Sequence, residues 1–374
     1  MIRSADSPNV KSRLTLLLGI LALEKVAIAC VLTASSHGGV AGLETLVDRW
    51  DAVLYIQIAE KGYSNSFSSE LYAFSPFYPA LIYLVHFLAG SYSLASALVS
   101  NIFSAATVVA FYYALGYRGA LLASIFPTFA YYSTAGYSDS LALFFLACGI
   151  IFYRKGRYLR TGVMFGCATV VLYSVALAAI PLAAGLLLHR GGSRLSAAAS
   201  MFLPVLAAGL SVLGGYYLAT GDATLWFRLQ ASIWGTQYTS PVGQAVWLLN
   251  LNGKGWFTQQ DWQVLGLRLT PLYWFIRNVV FEAFYIVGAA LLMRSKDSTD
   301  HVLGYMVLVV SIPLLFVIGT PAASVPRLLL PGFPAFKAYG NGTLSGKWTF
   351  TAYVAVCTAA TMLIALTQAY AFFA

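Results

Sequence analysis

Long apolar runs alternate with short polar breaks along the 374 residues. The first run, 14–34, is long enough to cross a bilayer as a helix. No convincing small-residue cleavage site follows it, so it reads as a retained helix. After a polar stretch at 37–70 come four apolar patches, at 71–89, 93–115, 119–135 and 141–153. Residues 161–188 read as two short helices broken near Tyr173, and 195–219 as a full span. A long loop at 220–270 precedes spans near 271–293, 301–319, 326–338 and 348–372. No linker, low-complexity tract or internal repeat interrupts the series. The whole chain, 1–374, is expected to form one all-α polytopic membrane domain.

Composition agrees with that pattern: 59% of residues are hydrophobic and 9% charged, against about 25% charged in soluble chains. The four cysteines, Cys30, Cys148, Cys167 and Cys357, lie singly inside apolar runs, with no metal-like spacing, and read as packing residues. The net charge of +9 sits in short clusters between apolar runs, as membrane topology requires, and not in a stripe suited to nucleic acid. Arg3, Lys11 and Arg13 before the first helix, "RKGRYLR" at 154–160, "HRGGSR" at 189–194, "MRSKD" at 293–297, Lys337 and Lys347 mark the inside.

These assignments leave an odd number of crossings between 37–70 and 154–160, so one of the four patches does not cross. The patch at 71–89 carries Pro76 and Pro79 in "AFSPFYP", which should interrupt a helical ladder, and suits an interfacial segment. About eleven crossings result, with interfacial helices in the first outer loop, 36–92. Asp139 then falls outside with Asp51. Eight of the thirteen acidic residues, Glu44, Asp48, Asp51, Glu60, Glu70, Asp139, Asp222 and Asp261, share that side.

The stretch "RWDAVLYIQIAEKGY", 49–63, is the sharpest candidate site. Asp48 as an N-cap, Asp51 as the third helical residue and Gly62 as the C-terminal stop would explain it structurally. A capped, rigid helix is equally a good mount for a reacting carboxylate. Apolar residues run nearly all the way round this helix, and desolvation in such a setting makes a carboxylate more basic, the direction that suits a general base.

"RWDAVLYIQIAEKGYS" followed by "ELYAFSPFYPAL" resembles the opening signature of PIG-V-like mannosyltransferases, relatives of the GPI mannosyltransferases. "SIFPTFAYYSTAGYSDSLALFFLACG", 124–149, is similar to that family's Ser-x-x-Tyr-Ser-[Asp/Glu]-Ser segment, and "PRLLLPGFP", 326–334, to its Arg-containing block. The match is good over about 45–190 and thin elsewhere. Where many relatives carry an Arg-Ser-Asn or similar motif, this chain has "LYSVALAA", 172–179, leaving Tyr173 and Ser174 as polar candidates.

The resemblance implies a GT-C type transmembrane helix bundle. It also implies a glycosyltransferase that takes mannose or a similar hexose from a polyprenyl-phosphate sugar. The acceptor would be a glycolipid or glycan hydroxyl on the extracytoplasmic side, and membrane lipids the other partners. A prokaryotic plasma membrane is favoured over an endoplasmic reticulum. The general base would be Asp51, with inversion at the anomeric carbon.

Arg327, the basic residue of its outer loop, suits forked contact with phosphate; an interfacial Arg snorkelling to headgroups is the alternative. Arg49 and Lys61 are weaker phosphate candidates. Trp50, Glu70, Tyr137 and Asp139 are candidate substrate-binding residues, Tyr137 being equally suited to an interfacial position. No cofactor is expected. A divalent cation on Asp51, Asp139 and Glu70 is the less favoured arrangement, since a monophosphate leaving group carries less charge than a pyrophosphate.

Trp226, Trp234, Trp247, Trp256 and Trp262 in the long loop fit a sugar-stacking lid or an aromatic belt. Glu24 and Lys25 inside the first helix are expected to pair with their surroundings. Two other readings compete. A transporter would use Glu24, Lys25, Arg277 and Glu282 along a pathway, though repeated halves are lacking. A non-catalytic scaffold subunit would tolerate loss of Asp51.

Overall fold

In the computed structural model the described residues are 8–35, 51–63, 69–188, 194–250, 263–264, 267–268, 271–319, 324–342, 344 and 346–370. The candidates Trp50, Asp48 and Arg49 lie outside them, as do Trp256 and Trp262. Among the described residues the chain is almost entirely helical, and six helices are long and apolar enough to cross a membrane by length and composition. The protein is an integral, multi-pass membrane helix bundle.

Helix α1 (Pro8–Ser35) is followed by α2 (Asp51–Lys61), a 3-10 turn at Ser69–Ala73, and α3 (Phe77–Ala89). Asp51 is the first residue of α2 and not the third. Gly62 closes the helix as expected: its φ of 68° is the left-handed conformation that glycine adopts without strain, and its N–H reaches Ile58 O at 2.9 Å. Pro76 and Pro79 do not interrupt α3. Pro76 is its N-cap and Pro79 lies in its first turn, where a missing N–H has no intrahelical partner to lose. At 13 residues, α3 is too short to span about 30 Å of hydrocarbon. It packs beside the start of the next helix, with Tyr78 Oη donating to Ser96 O at 3.2 Å.

Helix α4 (Tyr92–Ser124) contains the patch 93–115 and the first six residues of the patch 119–135, yet it is not straight. At Gly116 the backbone takes φ 79°, ψ 171°, and the chain folds back on itself. The ring of Phe111 meets that of Phe129 at 5.6 Å, Ser100 Oγ donates to Ser133 O at 3.0 Å, and Ser96 Oγ to Gly136 O at 3.2 Å. Each pair farther from Gly116 joins residues more widely separated in sequence, as in an antiparallel hairpin. The returning arm breaks before Pro127, continues as α5 (Pro127–Tyr132) and delivers Asp139 to the end of the bundle from which α4 set out.

Helix α6 (Asp139–Arg154) then runs to the opposite end and α7 (Tyr158–Val171) returns. The break near Tyr173 is a 3-10 turn, Tyr173–Ala178, leading into α8 (Ala179–Leu188). Helices α7 and α9 (Arg194–Thr220) approach closely through Gly162 and Gly166, spaced G-x-x-x-G. A Cβ on Gly162 would lie 2.1 Å from Met201 O, and one on Gly166 3.0 Å from Pro204 O. Small residues let membrane helices meet backbone to backbone. Gly162→Ala is therefore expected to cost about 1–3 kcal/mol, read as a lower thermal midpoint in detergent. Gly209→Ala, whose new methyl meets nothing within 4 Å, is the control.

The loop expected at 220–270 carries α10 (Leu225–Ser232), β1 (Gln237–Tyr238), α11 (Pro241–Leu249) and a small hairpin of β2 (Gln263–Val264) and β3 (Leu267–Arg268). After α12 (Pro271–Met293) and α13 (Ser298–Ser311), β4 (Val317–Ile318) pairs antiparallel with β1. Gln244 Nε2 fastens α11 by donating to Leu314 O and Val317 O, at 2.6 and 2.8 Å. The expected span at 326–338 is broken into α14 (Val325–Leu328), a 3-10 turn at Leu330–Gly332 and α15 (Ala335–Asn341), before α16 (Lys347–Tyr370). After Arg327, Leu329 and Leu330 are buried in the main apolar core.

The two ends of the bundle differ in charge. At one, Asp300 is bonded by Lys337 Nζ, by Ser295 Oγ at 3.1 Å and by Arg154 at 3.5 Å, and Arg13 lies over Tyr117. At the other end Asp51 and Asp139 meet.

Candidate active site

Three side chains that are distant in sequence converge where α2, α6 and α14 begin or lie. Arg327 Nε donates to both Asp139 oxygens, at 3.1 and 2.9 Å, and its Nη1 donates to Asp51 Oδ2. The two carboxylates thus share one guanidinium, leaving the cluster one negative charge in excess when all three are ionised. The guanidinium carbon lies 4.5 Å from the ring centre of Tyr137 and 5.4 Å from that of Tyr132. Aromatic faces attract a cation and fix the plane of its fork. Arg327 turns inward, and does not snorkel.

The three members are not equivalent. Side-chain exposure is 5% for Asp139, 11% for Arg327 and 23% for Asp51. Asp51 and Arg327 line a cavity of about 260 Å³, and Asp139 stands behind them, outside its lining. Tyr55, one turn after Asp51 on the same helix face, also lines it. Its hydroxyl is hydrogen-bonded to Ser138 Oγ at 2.8 Å. Burial, foremost, raises the Tyr55 phenol above its ordinary range, so it meets a ligand as a neutral hydroxyl.

The "AFSP" segment supplies another wall through Ala73, Phe74 and Ser75. Phe74 stands edge-on to Tyr55 at 5.2 Å and to Trp234 at 6.1 Å. Trp226 and Trp234 line the cavity from the long loop, with Trp226 Nε1 donating to Ala73 O at 3.1 Å. Trp247 is half-buried outside that lining. Tyr173 and Ser174 form part of the wall as well.

Tyr173 is shared with a second, apolar hollow of about 310 Å³ between α7 and α9, which Tyr63, Tyr72 and Tyr216 also line. A tyrosine chain stiffens this partition: Tyr173 Oη and Tyr216 Oη lie 3.1 Å apart, and Tyr216 Oη donates to Tyr72 O at 2.7 Å.

Of the sequence candidates, the structure brings together Asp51, Asp139, Arg327 and Tyr137. Tyr137 is 3% exposed and presents its ring to the guanidinium, not an open face for a sugar. Glu70, half-buried in the turn at Ser69–Ala73, and Lys61, at the far end of α2 beside Glu60, lie outside the cavity lining. Among the described residues no group of three or more His, Cys, Asp or Glu is arranged to hold a metal ion. Lys25 Nζ donates to Ser133 O at 2.9 Å, bracing α1 against the segment before Asp139; neither it, Glu24 nor Glu282 lines the cavity.

The sequence reading missed Tyr55, Gln230, Thr236, Tyr238 and Ser324, all of them cavity residues. Only Tyr55 carried a signal, its i+4 spacing from Asp51.

Comparison with protein-family models and with curated proteins gives no match. Among solved structures, the chain is similar to ArnT from Cupriavidus metallidurans, whose crystal structure holds undecaprenyl phosphate. The TM-score is 0.52 at 12% identity, over 95% of this chain and 76% of that one. At that identity the likeness is one of fold. The apolar helices and this likeness together show a multi-pass transmembrane helix bundle that shares the fold of ArnT.

Proposed function

We propose that the chain is a glycosyltransferase that takes a sugar from a polyprenyl-phosphate donor, with Asp51 as general base and Arg327 as the phosphate ligand. One observation carries the reading: at the acidic end of a bundle that shares the fold of ArnT, a carboxylate and a forked cation face the same aromatic-walled cavity. The binding of a polyprenyl phosphate by ArnT, a protein of this fold, supports the donor class. The resemblance of 49–64 and 70–81 to PIG-V-like mannosyltransferases favours mannose. The outward placement of Asp51 by the charge pattern favours transfer on the extracytoplasmic side, onto a glycolipid or glycan hydroxyl.

In this reading the acceptor oxygen attacks the anomeric carbon from the Asp51 side and its proton passes to the carboxylate. The bond from that carbon to the phosphate oxygen breaks, and the leaving polyprenyl phosphate keeps the electron pair beside Arg327. A single displacement inverts the anomeric centre. Tyr55 would hold a sugar or phosphate oxygen as a neutral donor, Trp226 and Trp234 would stack on the sugar, and the hollow behind Tyr173 would receive part of the prenyl chain. The guanidinium stands between both carboxylates, so the positive charge that a divalent cation would bring is supplied there by the chain itself.

The test is to incubate purified protein with polyprenyl-phosphate mannose and a lipid extract, with and without EDTA, and to read the products by mass spectrometry. A mannosylated lipid or glycan formed equally in both arms is expected. Absence of any hexose transfer from several polyprenyl-phosphate hexoses would end the reading. Loss of product with EDTA, restored by Mg²⁺ or Mn²⁺, would give the charge-neutralising role to a cation.

A further inference from the structure

We propose that Asp51 is an internal competitor of the donor phosphate, held on Arg327 until that phosphate displaces it, and that Asp139 is the fixed anchor that keeps Arg327 in place during the exchange. The inference rests on the reading of Arg327 as the phosphate ligand and adds an order of events to it.

The asymmetry of the ion pairs carries the argument. Asp139 takes Nε with both of its oxygens, is nearly inaccessible and sits on the first turn of α6, outside the cavity lining. Asp51 takes the terminal Nη1 with one oxygen, is the most exposed of the three and lines the cavity. Tyr137 and Tyr132 hold the guanidinium plane from the protein side. An anion entering the cavity therefore reaches the terminal nitrogens of the fork and meets Asp51 there, while Nε and its bonds to Asp139 remain covered. Charge-assisted forks of this kind suit phosphate as well as carboxylate, so the exchange replaces one anion by another on the same nitrogens.

Two consequences follow. Asp51 is a counter-ion in the empty enzyme and becomes available to accept a proton only when the donor phosphate has taken its place, so the donor binds before the acceptor reacts. After transfer, departure of the polyprenyl phosphate returns Asp51 to Arg327. Asp139 is thus a positioning residue, acting on the substrate through Arg327.

The exchange predicts opposite signs for affinity and turnover in one variant. Asp51→Asn replaces the anionic competitor by a neutral amide whose oxygen holds Nη1 more weakly, so undecaprenyl phosphate should bind about tenfold more tightly, the scale of the difference between a charge-assisted and a neutral hydrogen bond, even though transfer falls. Binding is read by native mass spectrometry of the full chain in detergent, titrated with undecaprenyl phosphate. Glu70→Gln removes one negative charge outside the cavity and should leave that affinity unchanged. Asp139→Asn should weaken binding, because the fork loses its anchor.

Unchanged or weaker binding by Asp51→Asn overturns the proposal while leaving the donor reading intact, provided the wild-type chain binds the lipid. Equal tightening by Asp51→Asn and Glu70→Gln also overturns it, since bulk charge then explains the gain. If neither the wild-type chain nor Asp51→Asn binds undecaprenyl phosphate, the donor reading fails and the exchange falls with it. The comparison of Asp51→Asn with Glu70→Gln is decisive even if Asp139→Asn does not fold.

Discussion

Replacing Asp51 by Asn is expected to lower sugar transfer by roughly a hundredfold or more, the usual contribution of a positioned general base, while the protein still folds. Asn keeps the size of the side chain and an oxygen that can accept from Arg327 Nη1, but it cannot take the acceptor proton. Arg327 retains its two bonds to Asp139, so no buried guanidinium is left without a counter-charge, the situation that makes loss of one partner severe. The measurement pairs thermal stability in detergent with product formation. Glu60→Gln, an exposed residue of the same helix beside Lys61, serves as the control. Normal transfer by a folded Asp51→Asn protein would assign the base to another group.

Arg327→Lys is expected to reduce donor use, read as kcat/KM, by about a hundredfold, in line with losing one preorganised donor at a developing anion. Lysine keeps the charge, but a single ammonium cannot serve two oxygens of Asp139 through one nitrogen while offering another to Asp51 or a phosphate. The loss should appear mainly against the polyprenyl-phosphate donor and less against the acceptor. Arg327→Ala is a harsher test, because two buried or half-buried carboxylates would then face each other without a cation, and about 3–5 kcal/mol of stability would be at risk. Full transfer by Arg327→Lys would move the phosphate contact to another group.

The membrane class was legible because a bilayer imposes a simple requirement on a chain: a spanning helix must be long and apolar. The patch at 71–89 was recognisable as too interrupted to span, although the reason differed: Pro76 and Pro79 begin a short helix and do not break a long one. The fold-back at Gly116 was implied by splitting 93–115 from 119–135, yet no local rule named the residue. Only a left-handed glycine between two packed arms made the reversal visible. The loop at 220–270 carried its tryptophans openly, but which of them reach the cavity depended on β1 pairing with a strand some eighty residues later, a contact that short-range pattern does not encode.

Sequence by itself determined the class of protein, the end of the bundle where acid collects, and the residue types that chemistry there would need: Asp51, Asp139, Tyr137 and Arg327 all stand in blocks that can be read without a structure. Tertiary structure decided their relations. Residues 51, 139 and 327 meet because separate crossings of the bundle end at one level, and the distance between such ends is set by helix packing, not by sequence spacing. That packing placed Tyr137 beneath a guanidinium, left Glu70 aside, brought Tyr55 and Ser138 together, and gave Asp139 the buried side of Arg327 and Asp51 the open side. Charge type is a local property of a residue. Which charge faces the cavity is a property of the assembled bundle.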